Sequence, residues 1–187
     1  MTKHTIHRIN NRDGKLGGAL SDSDTNIMNL LNNDIGSIGK SLSNLLYLFD
    51  FSERKAFLSQ MVNELEELNA NSINYKEKMK ETTIYKNITG VYGKFSEQIN
   101  SITDEELKRL NFIINANKNG KTHVPLIPIN AFNAEIFKDK LKKFAENIYY
   151  WYIKHIGSVT MYYLMYHNGG HMVRKTDGQF SKNNDLI

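Results

Sequence analysis

Between Asn133 and Tyr166 one set of positions, Phe137, Leu141, Phe144, Ile148, Trp151, His155, Ser158, Tyr162 and Met165, recurs by fours and threes. That spacing lays side chains along a single stripe of an α-helix. Beyond Ile148 a second stripe, Tyr152, Ile156, Val159, Tyr163 and Tyr166, joins the first, so apolar surface runs round most of the rod. A helix over 133–166 would be about 50 Å long. A compact chain of this size has a diameter of about 40 Å. The expectation is therefore a helix that breaks near Gly157 or projects its tyrosine-rich end, leaving an apolar patch of the kind that marks contacts.

The remaining pattern is also helical. A short helix is predicted from Ser23 or Asp24 to Asn32 on Ile27, Leu30 and Leu31. Gly36 and Gly39 then precede a run from Leu42 to Phe51. Ser52 is an N-cap candidate for a helix carrying Phe57, Leu58, Met61, Val62, Leu65 and Leu68. Periodicity leaves open whether 40–69 is one kinked helix or two. A third helix is predicted over 73–99, with Ile84, Ile88, Val91, Phe95 and Ile99 as its stripe. Gly90 and Gly93 lie inside it, each costing about 1 kcal/mol against alanine, and close helix packing or a kink is the expected reason.

Thr103-Asp-Glu-Glu106 matches a capping box. It opens a helix on Leu107, Leu110, Ile113 and Ile114 that stops in the run Asn115–Gly120. Residues 121–129 are predicted extended, because Pro125 and Pro128 bias their predecessors away from the α region. Asn130 or Asn133 caps the long helix. The fold class expected is all-α: an irregular bundle of four to five helices around the long aromatic helix. A flexible arm (1–22) precedes a single helical domain (23–166), and a polar tail (167–187) follows.

Composition changes this picture little. A chain of 187 residues with 40% hydrophobic and 24% charged positions can bury a core. Without cysteine it has no disulfide, thiolate metal site or cysteine nucleophile. The net charge of +4 is modest, and its lysines are interleaved with acids, unlike a dedicated nucleic-acid face. Lys154, His155 and the tyrosines argue against a membrane span over 148–166. The first residues have no apolar core of a signal peptide, so an intracellular or virion location is expected.

Candidate chemistry is sparse. Residues 34–41 and 115–122 end like phosphate loops (Gly39-Lys40-Ser41 and Gly120-Lys121-Thr122), but each lacks the first glycine and a preceding strand. His167 and His171 flank two glycines, His4 and His7 lie in the arm, and His155 sits on the apolar stripe as a core histidine. Glu105 and Glu106 belong to helix capping, and Glu64, Glu66 and Glu67 to a solvated face. No catalytic residue, metal site or cofactor is assigned.

The leading expectation is a non-enzymatic structural protein acting through protein–protein contacts, as a homo-oligomer or among neighbouring subunits. Virion or phage connector and coat components offer the analogy. Its interface would be Trp151, Tyr152, Ile156, Val159, Tyr162, Tyr163 and Tyr166. The alternative is a helical nucleic-acid-binding protein in which Lys138, Lys142, Lys143, Arg174 and Lys175 meet phosphates and aromatics stack on bases.

Overall fold

The computed structural model describes residues 19–34 and 36–167, apart from the side chains at 34, 36, 37 and 167. The fold is all-α, with no strand among the described residues. In chain order the helices are α1 (Asp22–Asp34), α2 (Gly36–Phe49), α3 (Phe51–Glu67), α4 (Tyr75–Glu81), α5 (Thr83–Ser101), α6 (Asp104–Asn117) and α7 (Ala134–His167), with a 3-10 turn at Ile129–Ala131. The expected arm falls largely, and the tail wholly beyond His167, outside the described residues.

Contacts group the chain into two compact units. Among the described residues, one holds 19–34, 36–51 and 89–149; the other holds 52–88 and 150–167. In the first unit the core is built from Ile27, Leu31, Leu42, Leu45, Phe95, Ile99, Leu107, Leu110, Ile114, Phe137, Leu141 and Ile148, all buried. Burying each such side chain contributes about 1.5–3 kcal/mol. Thr103 caps α6 as its sequence predicts. The Glu106 amide donates to the Thr103 hydroxyl at 3.2 Å and the Thr103 amide donates to Glu106 Oε2 at 2.8 Å.

Expectations for α5 need correction. Gly90 and Gly93 are exposed, and a Cβ at either would meet nothing within 4 Å. The helix passes through both without a break. Close packing is therefore excluded as their reason.

In the second unit the core is built from Leu58, Met61, Leu65, Met79, Tyr152, Ile156, Val159 and Leu164, all buried. The region 40–69 resolves into two helices separated at Asp50. The helix predicted over 73–99 is also two, parted at Thr82, whose extended backbone (φ −65°, ψ 148°) ends α4. Glu64 of α3 causes the restart. Its carboxylate accepts from the Thr83 amide at 2.7 Å and from the Thr83 hydroxyl, satisfying donors at the start of α5 that no local residue reaches. A glutamate assigned to a solvated face is thus a helix cap. α3 itself ends on Asn69 in the left-handed region (φ 52°), with the Ala70 amide donating to Leu65 O and the Asn69 amide to Glu66 O. That is a Schellman stop, with asparagine in the place glycine usually takes.

The long helix is 34 residues and unbroken; Gly157 is buried and does not interrupt it. Its buried face rotates. Phe137, Leu141, Ile148 and Trp151 of the first stripe are buried, but Ser158, Tyr162 and Met165 are only half-buried, while Tyr152, Ile156, Val159 and Tyr163 take over the core. A 4–3 alternation averages 3.5 residues against 3.6 per turn, so the stripe drifts by about 20° per heptad. Over four heptads it slides off the core.

Candidate contact cleft

The aromatic interface expected on α7 is largely covered by its own chain. Trp151, Tyr152, Ile156, Val159 and Tyr163 are buried, Tyr162 is half-buried, and only Tyr166, at 67% exposure, stands in solvent. The bare flank that motivated that assignment is absent at five of its seven positions. The reason is local packing. His155 stacks on Trp151 with ring centroids 3.8 Å apart, and the Arg54 guanidinium carbon lies 4.6 Å from the centre of the same indole. His155 Nδ1 lies 2.8 Å from the Trp151 carbonyl. A carbonyl only accepts, so Nδ1 carries the proton and the imidazole is tied to the helix backbone. This is the core histidine that its place on the stripe implies. Burial, assisted by the charge on Glu66, pushes the Tyr163 phenol up, which fits a hydroxyl held in the protonated form inside the core.

The surface that is left bare lies elsewhere, in the first unit, and a pinned loop builds it. Asp24 is the pin. Its side chain is fully buried and accepts from the Ser21 amide at 3.0 Å, the Thr122 hydroxyl at 2.7 Å, the His123 amide at 2.7 Å and His123 Nδ1 at 2.6 Å. Burial alone would raise its carboxyl. The hydrogen bonds from Ser21, His123 and Thr122 outweigh that and hold it below the usual carboxylate range. Beside it Ser21 Oγ donates to the Lys121 carbonyl at 2.8 Å, and Ser23 Oγ exchanges hydrogen bonds with the Asn119 backbone. Within the second phosphate-loop mimic the Asn119 amide and carbonyl are therefore engaged with Ser23 of α1, and the Lys121 carbonyl with Ser21.

Downstream, Asn111 holds the same loop from α6. Its Nδ2 donates to the Ile127 carbonyl at 2.9 Å and its Oδ1 accepts from the Ile127 amide at 2.8 Å, with Asn115 Nδ2 adding a second bond to that carbonyl at 2.8 Å. Pro128 then turns the chain into the 3-10 turn, whose Ile129 faces outward, and Phe132 packs edge-on to Phe137 with centroids 6.0 Å apart. Ile129, Phe132 and Phe112 of α6, with Glu105, Lys108, Arg109 and Asn111, line an open cleft of about 290 Å³. Phe112 and Ile129 remain 56% and 55% exposed. Drug-sized ligands occupy pockets of about 300–1,000 Å³ that bury most of their surface. An open cleft at the bottom of that range suits one or two anchoring side chains of a protein partner better than a metabolite.

Of the residues of the nucleic-acid alternative, Lys138, Lys142 and Lys143 lie on the first half of α7. Lys138 and Lys142 are half-buried and Lys143 is exposed, while Arg174 and Lys175 lie outside the described residues, as do His4, His7 and His171. Lys142 borders a smaller cleft of about 210 Å³ with Tyr92, Phe95, Ser96, Ile99, Asn100 and Glu146. There Tyr92 stacks on Tyr149 at 4.2 Å, so neither ring face between them is open to a base. Among the described residues no group of three or more His, Asp or Glu could hold a metal ion, and no helix is long and apolar enough to cross a membrane.

Sequence reasoning missed the cleft. Its one signal was Phe112, an aromatic off the Leu107–Leu110–Ile114 stripe of α6, and the partners that complete the site depend on a loop pinned from residues far away in the chain. No protein-family model, curated protein or solved structure matches the chain. What the fold and the site define is a class: an all-α protein carrying a small, apolar-floored surface cleft.

Proposed function

We propose that this chain is a structural or assembly protein that works through protein–protein contacts, and that the cleft between α6 and the 3-10 turn is its contact surface. One observation carries the reading: Phe112 and Ile129, two large apolar side chains, stand more than half exposed on either side of one cleft. Clustered apolar residues left bare on a folded chain mark contact sites, and aromatic anchors seated in small pockets dominate contact energies. The polar loop pinned by Asp24 and Asn111 supports it, since a contact surface works best when it is fixed before the partner arrives. Phe112→Glu and Ile129→Glu variants test the reading by chemical cross-linking of the full chain. Both are expected to retain their helical signal and lose the cross-linked species. Tight binding to single-stranded DNA that collapses with added salt, with cross-linking unaffected by either variant, would overturn it in favour of a nucleic-acid function.

A further inference from the structure

The cleft carries an uneven set of charges. Lys108 and Arg109, both exposed, stand on its α6 side, with Glu105 one turn before them. A few residues past Phe132 the first turns of α7 present a second feature. Asn133 caps the helix, its Oδ1 accepting from the Ile136 amide at 3.0 Å, and this holds Ile136 outward at 52% exposure. Glu135, Asp139 and Lys140 are exposed beside it. Asp139 and Lys140 follow Ile136 by three and four residues and so neighbour it on the helix surface, while Glu135 lies one turn before Asp139.

The two surfaces are complementary. The cleft offers an apolar floor with two cations and one anion. The Ile136 knob offers an apolar tip with two anions and one cation. None of these six charged residues has a salt-bridge partner among the described residues. The knob does not serve as its own chain's cover, because Ile136, Phe112 and Ile129 are all more than half exposed together.

We infer that the occupant of the cleft is the Ile136 knob of a second copy of this chain. This inference rests on the assembly reading above and names the partner. Ile136 enters between Phe112, Ile129 and Phe132, Glu135 and Asp139 meet Lys108 and Arg109, and Lys140 meets Glu105. Since one chain carries both surfaces, a two-fold pairing uses each contact twice, the usual way in which homodimers close. The apolar tip supplies affinity, and the charges fix register and exclude other partners.

A charge-exchange experiment on the full chain tests this. One variant carries Lys108→Glu and Arg109→Glu, so its cleft repels its own knob. Another carries Glu135→Lys and Asp139→Lys, so its knob repels its own cleft. All four sites are exposed, and circular dichroism checks that each variant keeps its helices. Each variant alone is expected to self-associate at least ~100-fold more weakly than the native chain. An equimolar mixture, in which both contacts are again complementary, is expected to recover pairing. Adding Ile136→Asn to both variants should abolish that recovery, which separates a specific contact from attraction between oppositely altered proteins. Self-association that ignores both charge sets would overturn the knob-and-cleft pairing while leaving the assembly reading intact. A native chain that never self-associates would overturn the pairing and the self-assembly part of that reading together.

Discussion

Asp24 and His123, 99 residues apart in the chain, meet at 2.6 Å, and the buried carboxylate accepts from both the ring and the backbone amide of that histidine. Through this pair the start of α1 fixes the loop that ends at Ile129. The carboxyl is held below its ordinary value, and the sign of the consequence follows. A group whose folded value is depressed stabilises the fold above its unfolded value, near pH ~4, and loses that contribution as pH falls through the folded value. The native chain should therefore loosen in this loop only below about pH 4. Asp24→Asn, which replaces a charged acceptor by a neutral amide with donors facing donors, should cost about 2–3 kcal/mol at neutral pH. It should also flatten the acid limb of the stability curve. Denaturant melts between acid and neutral pH check both outcomes.

Glu64 and Thr83 make the second long-range cap. Removing the carboxylate by Glu64→Ala leaves the Thr83 amide and hydroxyl at the start of α5 to water and should destabilise the chain by about 1 kcal/mol. For a chain of this size that lowers Tm by about 2–4 °C. Amide exchange should quicken at the first turn of α5 and stay unchanged in α6, which has its own capping box.

Gly90 and Gly93 carry a cost that nothing in their surroundings requires. A methyl group at either position meets open space, and the backbone there is ordinary helix. Gly90→Ala and Gly93→Ala should each stabilise the chain by about 0.5–1 kcal/mol, by restricting the unfolded state and improving helix propensity. Thermal melts of the single and double variants check the sign; a loss of stability would show that these glycines answer to a contact on this face.

Most of the fold was legible because its signals are local. The capping box at Thr103 and the periodicity of α7 both act within a few residues. The breaks at Asp50 and Thr82 were not legible as such. After Thr82 the helix restarts at Thr83, where Glu64, nineteen residues earlier, supplies an acceptor, beyond the reach of local periodicity. The burial of five of the seven expected interface positions on α7 was not legible for a related reason. A 3.5-residue alternation looks like one face on paper, but along a 3.6-residue helix it turns, and Arg54 of α3 lies over the Trp151 indole of α7. Phe112, by contrast, appeared dispensable to its helix and proved to be the side chain left bare. Which apolar residues stay uncovered is decided by packing between distant segments, and that information is not periodic.

The central claim is that this exposed apolar surface exists to meet protein, and sedimentation equilibrium of the full chain over a wide concentration range tests it most directly. The account predicts a weight-average mass that rises from the 21.6 kDa of one chain toward twice that value, and a Phe112→Glu variant that stays at the lower mass throughout. A native chain that holds the single-chain mass at every concentration would contradict it.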